Sequence, residues 1–190
     1  MKKQVQDIID QWQFDCTIDS DTLVFSDKRI DELLLPNRLL NRIVREDDCI
    51  KRLDFSRCPI IPQIFSNFPY VEEIILPDNL KVLSGNTYVF SHVDSLEYLW
   101  IPNTITTTIP ANVFSTAPSL TVIELQEGFN ISANFSNCTN LTKEAIVNML
   151  YALKNLKGAS AKSLTLGETN LAKLSASDIA IATNKNWTLS

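Results

Sequence analysis

The sequence predicts an α+β solenoid: short parallel strands stacked side by side in one curved sheet, with a helix covering each end. Two observations carry this. Phe65, Phe90, Phe114 and Phe135 recur at intervals of 25, 24 and 21 residues, and each is followed six positions later by an aliphatic residue, Val71, Leu96, Leu120 and Leu141. The segments that open at the first three of these, 71–77, 96–102 and 120–126, share apolar residues at their first, fourth and sixth positions, as do the weaker copies 30–36 and 50–56.

Taken from the N-terminus, Val5, Ile8, Ile9 and Trp12 fall at i, i+3, i+4 and i+7, the apolar stripe of a short helix over about residues 4–13. The first repeat of a stack exposes an apolar edge that something polar outside must cover. The helix and the following 22–26 stretch therefore read as an N-terminal cap within 1–28, with self-association through this helix as the competing reading. The repeats occupy 29–141, and their period and apolar positions are the signature of a leucine-rich-repeat solenoid. Strand side chains alternate, so the fourth and sixth positions face inward: Leu33 and Leu35, Leu53 and Phe55, Ile74 and Leu76, Leu99 and Ile101, Ile123 and Leu125. Leu39, Leu80, Ile105 and Phe129 add a core residue beyond each strand, shifted to Ile60 in the second repeat. Pro36, Pro77 and Pro102 end their strands, since proline has no amide to continue a ladder. At Leu141 the strand pattern gives way to a helix, with Thr142 as N-cap, Glu144 in its first turn and Ile146, Met149, Leu150 and Leu153 as its apolar face. A strand at 163–167 follows, then a near capping box at 175–178, a helix ending near Asn186 in a left-handed position, and a last short edge at 187–189. Residues 142–190 read as a C-terminal capping module, continuous with the repeats in one domain.

The chemistry of function is sparse. A net charge of −5 and a pI near 4.9 argue against nucleic acid as partner. Arg38, Arg42, Arg45, Arg52 and Arg57 are interleaved with Asp31, Glu32, Glu46, Asp47, Asp48 and Asp54, which makes a mixed-charge surface and not a phosphate groove. Cys16, Cys49, Cys58 and Cys138 contain no C-x-x-C pair, and the one histidine, His92, completes no zinc set, so no metal or cofactor is expected. Cys138 stands where other repeats place Phe68, Val93 and Ala117, and reads as a small buried apolar side chain. Free thiols are the expectation, with Cys49 and Cys58 as the one conceivable pair. His92, Ser91 and Asp94 are chain neighbours, whereas a catalytic triad converges from separate segments. Asp19-Ser20-Asp21 opens like a calcium loop but lacks the later ligands, and four scattered glycines make no phosphate cradle. An enzyme is not expected. No run approaches the length of a membrane span, and Gln4, Gln6, Asp7, Asp10 and Gln11 interrupt what Met1-Lys2-Lys3 begins like a secretory signal.

The pattern Phe-x-x-(small or Cys)-x-x-Leu-x-x-Leu-x-Leu-Pro resembles the BspA-like class of leucine-rich repeats of bacterial surface and secreted proteins. The likeness is clearest at 90–102 and 114–125, and 135–141 carries its first half. The stretches at 141–146, 164–167 and 179–189 resemble a C-terminal module that follows such repeats in bacterial and phage-encoded proteins, with Asn186 where that module has glycine. The resemblance implies adhesion or partner recognition without catalysis, and a cell-surface location; the chain as given carries no export signal, and the alternative is a structural or host-recognition component of a phage or similar particle.

Recognition is expected on the concave face, where two rows run across the strands: Leu34, Asp54, Ile75, Trp100, Glu124, and Glu32, Arg52, Glu73, Tyr98, Val122. Tyr98 and Trp100 sit side by side where most solvated sheets carry small polar residues. A patch of Ile75, Tyr98, Trp100 and Val122, ringed by Arg52, Asp54, Glu73 and Glu124, is the candidate site for a protein or surface-glycan ligand. The competing reading is that other elements fold over these rings, or that they are tolerated surface aromatics.

Overall fold

The structure is a computed structural model that describes residues 6–7, 9–10, 16–25, 48–57, 68–83, 89–90, 92–114 and 117–190. Near the N-terminus Gln6, Asp7, Ile9 and Asp10 are helical, Ile9 is buried, and Gln6 Nε2 donates to Asp10 Oδ1 across one turn at 2.6 Å. The other three members of the expected stripe, Val5, Ile8 and Trp12, lie outside the described residues.

A six-stranded sheet follows, β1 (Cys16–Asp19), β2 (Thr22–Phe25), β3 (Arg52–Asp54), β4 (Glu73–Ile75), β5 (Tyr98–Ile101) and β6 (Val122–Leu125), in chain order. The β1–β2 pair is an antiparallel hairpin turned at Ser20, whose φ of 57° is left-handed; every later pair is parallel. One expectation needs correcting. The sheet neighbour of β3 is β2, through Thr22↔Arg52 and Val24↔Asp54, whereas the sequence offered 30–36 for that place and assigned 22–26 to a cap. Thr22, Leu23 and Val24 alternate half-buried, buried, half-buried, which suits a sheet with one covered face. The segment 30–36 lies outside the described residues.

A recurring backbone bond sets the register. Lys51 N donates to Asp21 O, Glu72 N to Lys51 O, Glu97 N to Glu72 O, Thr121 N to Glu97 O and Thr142 N to Thr121 O, at 2.7–3.0 Å. Just ahead of each strand the chain makes the same tight turn, Val71 N to Phe68 O, Leu96 N to Val93 O, Leu120 N to Ala117 O and Leu141 N to Cys138 O. Equivalent residues therefore stack on equivalent residues. The inward positions Leu53, Phe55, Ile74, Leu76, Leu99, Ile101, Ile123 and Leu125 are all buried, as are Leu80, Ile105 and Phe129. Phe90 lies on Phe114 with ring centres 5.9 Å apart and planes 10° apart, and Phe114 meets Phe135 at 5.2 Å, tilted by 48°. Phe65, at the head of the expected file, is outside the described residues. Where Pro77 and Pro102 close their strands, the third repeat has Gln126, whose amide carries the ladder one residue further to Ile101 O at 2.9 Å.

A second, three-stranded parallel sheet was not expected. Its strands are β7 (Ala133–Asn134), β8 (Lys162–Thr165) and β9 (Trp187–Leu189), and Ile109 adds a bridge to Ala133 on its outer side. Three helices accompany it: α1 (Lys143–Ala152), α2 (Gly167–Leu171) and α3 (Ala176–Thr183). The Thr142 hydroxyl accepts from Ala145 N at 3.1 Å as the expected N-cap. Helix α1 buries Ala145, Ile146, Met149 and Leu150. It stops at Ala152, ahead of Gly158, because Ala152 and Lys154 turn to the backbone of Phe129: Phe129 N donates to Ala152 O at 3.1 Å and Lys154 N to Phe129 O at 2.9 Å. Asn170 is buried with its amide satisfied by Cys138 O, Leu166 O and the Lys173 ammonium. Asn186 adopts the expected left-handed conformation at φ 64°. The buried thiol of Cys138 is pushed up to about 12 by desolvation, and Cys49 keeps a thiol that donates to Asp48; Cys58 lies outside the described residues. Among the described residues no helix is long and apolar enough to cross a membrane.

Two outcomes follow for stability. Phe114→Ala removes the middle ring of the described file and should cost about 3–5 kcal/mol, read as a lower urea midpoint. The second concerns acid. The bond from Lys143, then those from Ser175, hold the Asp178 carboxyl at about 2, below its ordinary 3.8, in a capping box at the start of α3. A carboxyl lowered on folding stabilises above its unfolded value and loses that contribution as pH falls through its folded one. Wild type and Asp178→Asn should therefore differ by a constant margin of stability above pH 3.8 and converge by about pH 2 in acid-unfolding titrations.

Candidate functional site

On the face of the six-stranded sheet away from the core, register builds the two expected rows strand by strand. Arg52, Glu73, Tyr98 and Val122 are successive Cα partners, and Asp54, Ile75, Trp100 and Glu124 form the other row. Glu124 is exposed and the other seven are half-buried. Thr22 and Val24 extend the rows at the β2 end, in the places the sequence offered to Glu32 and Leu34, which lie outside the described residues.

The side chains in these rows are tied to one another. Tyr98 Oη donates to Glu124 Oε2 at 2.6 Å, reaching diagonally across one strand spacing. The Arg52 Nε and Glu73 Oε2 atoms approach to 3.5 Å, a half-exposed ion pair with little hold on stability. Just ahead of the row, Lys51 Nζ meets Glu72 Oε1 at 3.0 Å. Asp54 turns away to accept from Ser56 N at 2.9 Å, so its carboxylate serves a local turn as much as the surface. Burial, then the bond to Glu124 and that carboxylate's charge, push the Tyr98 phenol well above its ordinary 10.0. Ile75, Trp100 and Val122 complete a continuous apolar strip across β4, β5 and β6.

Beside this strip is a feature the sequence did not signal. A cleft with about 370 Å³ of room lies between β6 and α1, lined by Val122, Ile123, Glu124, Leu125, Ala145 and Asn148. The repeat period places Thr142 after Thr121, but it does not encode how a helix starting there would lean on β6.

His92 is exposed with φ 53°. Among the described residues no group of three His, Cys, Asp or Glu side chains converges to hold a metal ion. Of the arginines in the N-terminal part, Arg38, Arg42 and Arg45 lie outside the described residues.

The Tyr98–Glu124 pair gives a direct reading of the site. In an alkaline absorbance titration the Tyr98 phenol should ionise only well above its ordinary 10.0, and Glu124→Ala should bring it down toward that value while leaving the part due to burial.

Comparison with known proteins gives one match. The BspA type leucine rich repeat region matches residues 56–174 in six copies. No curated protein and no solved structure matches the chain. The matched span holds β4 to β8 and the tight turns that precede the strands, and it covers well over half of the sequence. The chain belongs to the BspA type leucine-rich repeat family.

Proposed function

We propose that the chain is a noncatalytic recognition and adhesion module that binds a protein or a surface glycan through the non-core face of its repeat sheet. In this reading the sheet curves as a solenoid with that face concave, the β1–β2 hairpin closes it at one end, and 142–190 covers the other. The observation that carries the reading is the placement of Tyr98 and Trp100 on one strand, facing away from the core, between Ile75 and Val122. A solvated sheet face gains nothing in solubility from two large half-buried rings in a row. An interface does: rings of low conformational entropy with apolar neighbours, rimmed by charges, are what anchors a partner. Arg52, Asp54, Glu73 and Glu124 supply that rim.

The test is a Tyr98→Ala, Trp100→Ala double variant of the full chain. Both side chains lie outside the core, so its circular dichroism spectrum and urea midpoint should stay close to those of wild type. Ligands that wild type retains on a glycan array or in pulldowns should be lost by at least about tenfold in affinity, since two anchor residues are removed together. Full retention of every interaction by a folded double variant rejects the reading.

A further inference from the structure

The cleft between β6 and α1 exists because a helix stands where another strand would run. Thr142 N completes the strand-to-strand relay at Thr121 O, and the Thr142 hydroxyl then caps α1. A helix is wider than a strand and offers no backbone groups along its flank, so α1 meets β6 through side chains alone. The small Ala145 leaves room there.

Donors and acceptors both face that room. Along β6, Val122 N bonds Glu97 O and Gln126 N bonds Ile101 O, both toward β5, while Thr121 O faces α1. Backbone direction alternates along a strand, so the N–H and C=O of Ile123 and the N–H of Leu125 also point toward α1 and the cleft. Glu124 is one of the lining residues, and one oxygen of its carboxylate is fixed by Tyr98 of β5. Among the described residues no lysine or arginine forms an ion pair with Glu124, whereas Glu72 pairs with Lys51 and Glu73 with Arg52. Asn148 adds a side-chain amide that can donate or accept, and Val122 and Ala145 add apolar surface. An exposed carboxylate beside a cleft that is partly apolar is complementary to a side chain with a long aliphatic stem and a cationic head. The chain's net charge of −5 favours approach of such a group.

We propose that this cleft receives a lysine or arginine side chain of a protein partner, its stem against Val122 and Ala145 and its head on Glu124. The proposal rests on reading the sheet face as a recognition surface. It narrows the ligand to a protein with an exposed basic residue, because a neutral glycan leaves the carboxylate unanswered.

The test is a ¹⁵N–¹H NMR titration of the full chain with N-acetyl-arginine amide and N-acetyl-lysine amide, against the neutral isostere N-acetyl-citrulline amide. The cationic amides should shift residues 122–125, Ala145 and Asn148 saturably, more weakly at high salt, and citrulline amide should not. Glu124→Gln keeps an acceptor for Tyr98 and removes the charge, and should weaken the arginine amide about tenfold. Absence of shifts at the cleft, equal shifts from citrulline amide, or an unchanged affinity in Glu124→Gln overturns the proposal. If the cleft fails while the Tyr98, Trp100 double variant still loses its partner, only the cleft assignment falls. If the cationic amides fill the cleft and the double variant keeps every partner, the cleft stands and the wider reading of the sheet face falls.

Discussion

One backbone hydrogen bond per repeat holds the rest of the molecule in place. The relay through Asp21, Lys51, Glu72, Glu97, Thr121 and Thr142 fixes where each strand begins against its neighbour. In a parallel ladder a slip of one residue would turn every inward side chain outward, so the relay also decides which residues form the core. The sequence intervals between its members are uneven, at 30, 21, 25, 24 and 21 residues, yet the register does not drift. The constant part is the six residues from each repeat phenylalanine to the start of its strand segment, which contain the tight turn. The variation is absorbed between the end of one strand and the next phenylalanine. Leu76 to Phe90, Ile101 to Phe114 and Leu125 to Phe135 span 14, 13 and 10 residues. Strand and ring are thus rigidly coupled, and the connecting arc is free to change length.

A relay of this kind has an end, and the chain's last third is organised around it. Thr142 is the last donor, and its side chain starts a helix in place of a strand. Beyond it, lysine ammonium groups take over much of the inter-segment bonding that amides perform earlier. Lys173 Nζ donates to Thr139 O and Leu141 O, and Lys185 Nζ to Leu150 O, Tyr151 O and Leu153 O. Lys162 Nζ reaches Asn130 O in the same way. The Lys185 head sits at the C-terminal end of α1, where unpaired carbonyls and the helix dipole favour a cation. Partial burial lowers its affinity for a proton, a cost offset by three carbonyl acceptors. Charge-assisted bonds from long, adjustable side chains tolerate irregular spacing better than a ladder does. That suits a segment where repeat geometry gives way to helices.

What could be read from the chain follows from which interactions repeat. The inward residues of β3 to β6, the file of Phe90, Phe114 and Phe135, and the rows from Arg52 to Val122 and from Asp54 to Glu124 all derive from a period and an alternation, and were legible. The caps at Thr142 and Ser175 and the left-handed Asn186 were legible from local chemistry. The second sheet was not: strands near 163–167 and 187–189 were expected, but Ile109 and Ala133–Asn134 contribute only one and two ladder residues, and no repeat pattern says that these segments pair with one another. Strand β2 was misplaced for a related reason: 30–36 copies the repeat pattern better than 22–25 does, while pairing depends on which segment reaches β3 in space. The Tyr98–Glu124 bond and the β6–α1 cleft depend on side-chain direction and helix placement, which no spacing rule encodes.

The same register separates folding from recognition. Each strand gives alternate residues to the core and to the opposite face, so the inward set can stay aliphatic while the outward set varies one position at a time. The outward set here is uneven in a way that core packing does not require. At the place Trp100 holds on β5, the neighbouring strands carry Asp54, Ile75 and Glu124, and each of them serves its strand equally well. Nor is Tyr98 needed for burial, since its row is otherwise Arg52, Glu73 and Val122. What Tyr98 does accomplish is to fix one oxygen of the Glu124 carboxylate while the residue itself stays exposed. A fixed, exposed carboxylate loses less freedom when a cation arrives than a mobile one does, which is preorganisation for binding and adds little to stability. The least repetitive stretch of the sheet face is therefore also one whose side chains are tied to one another.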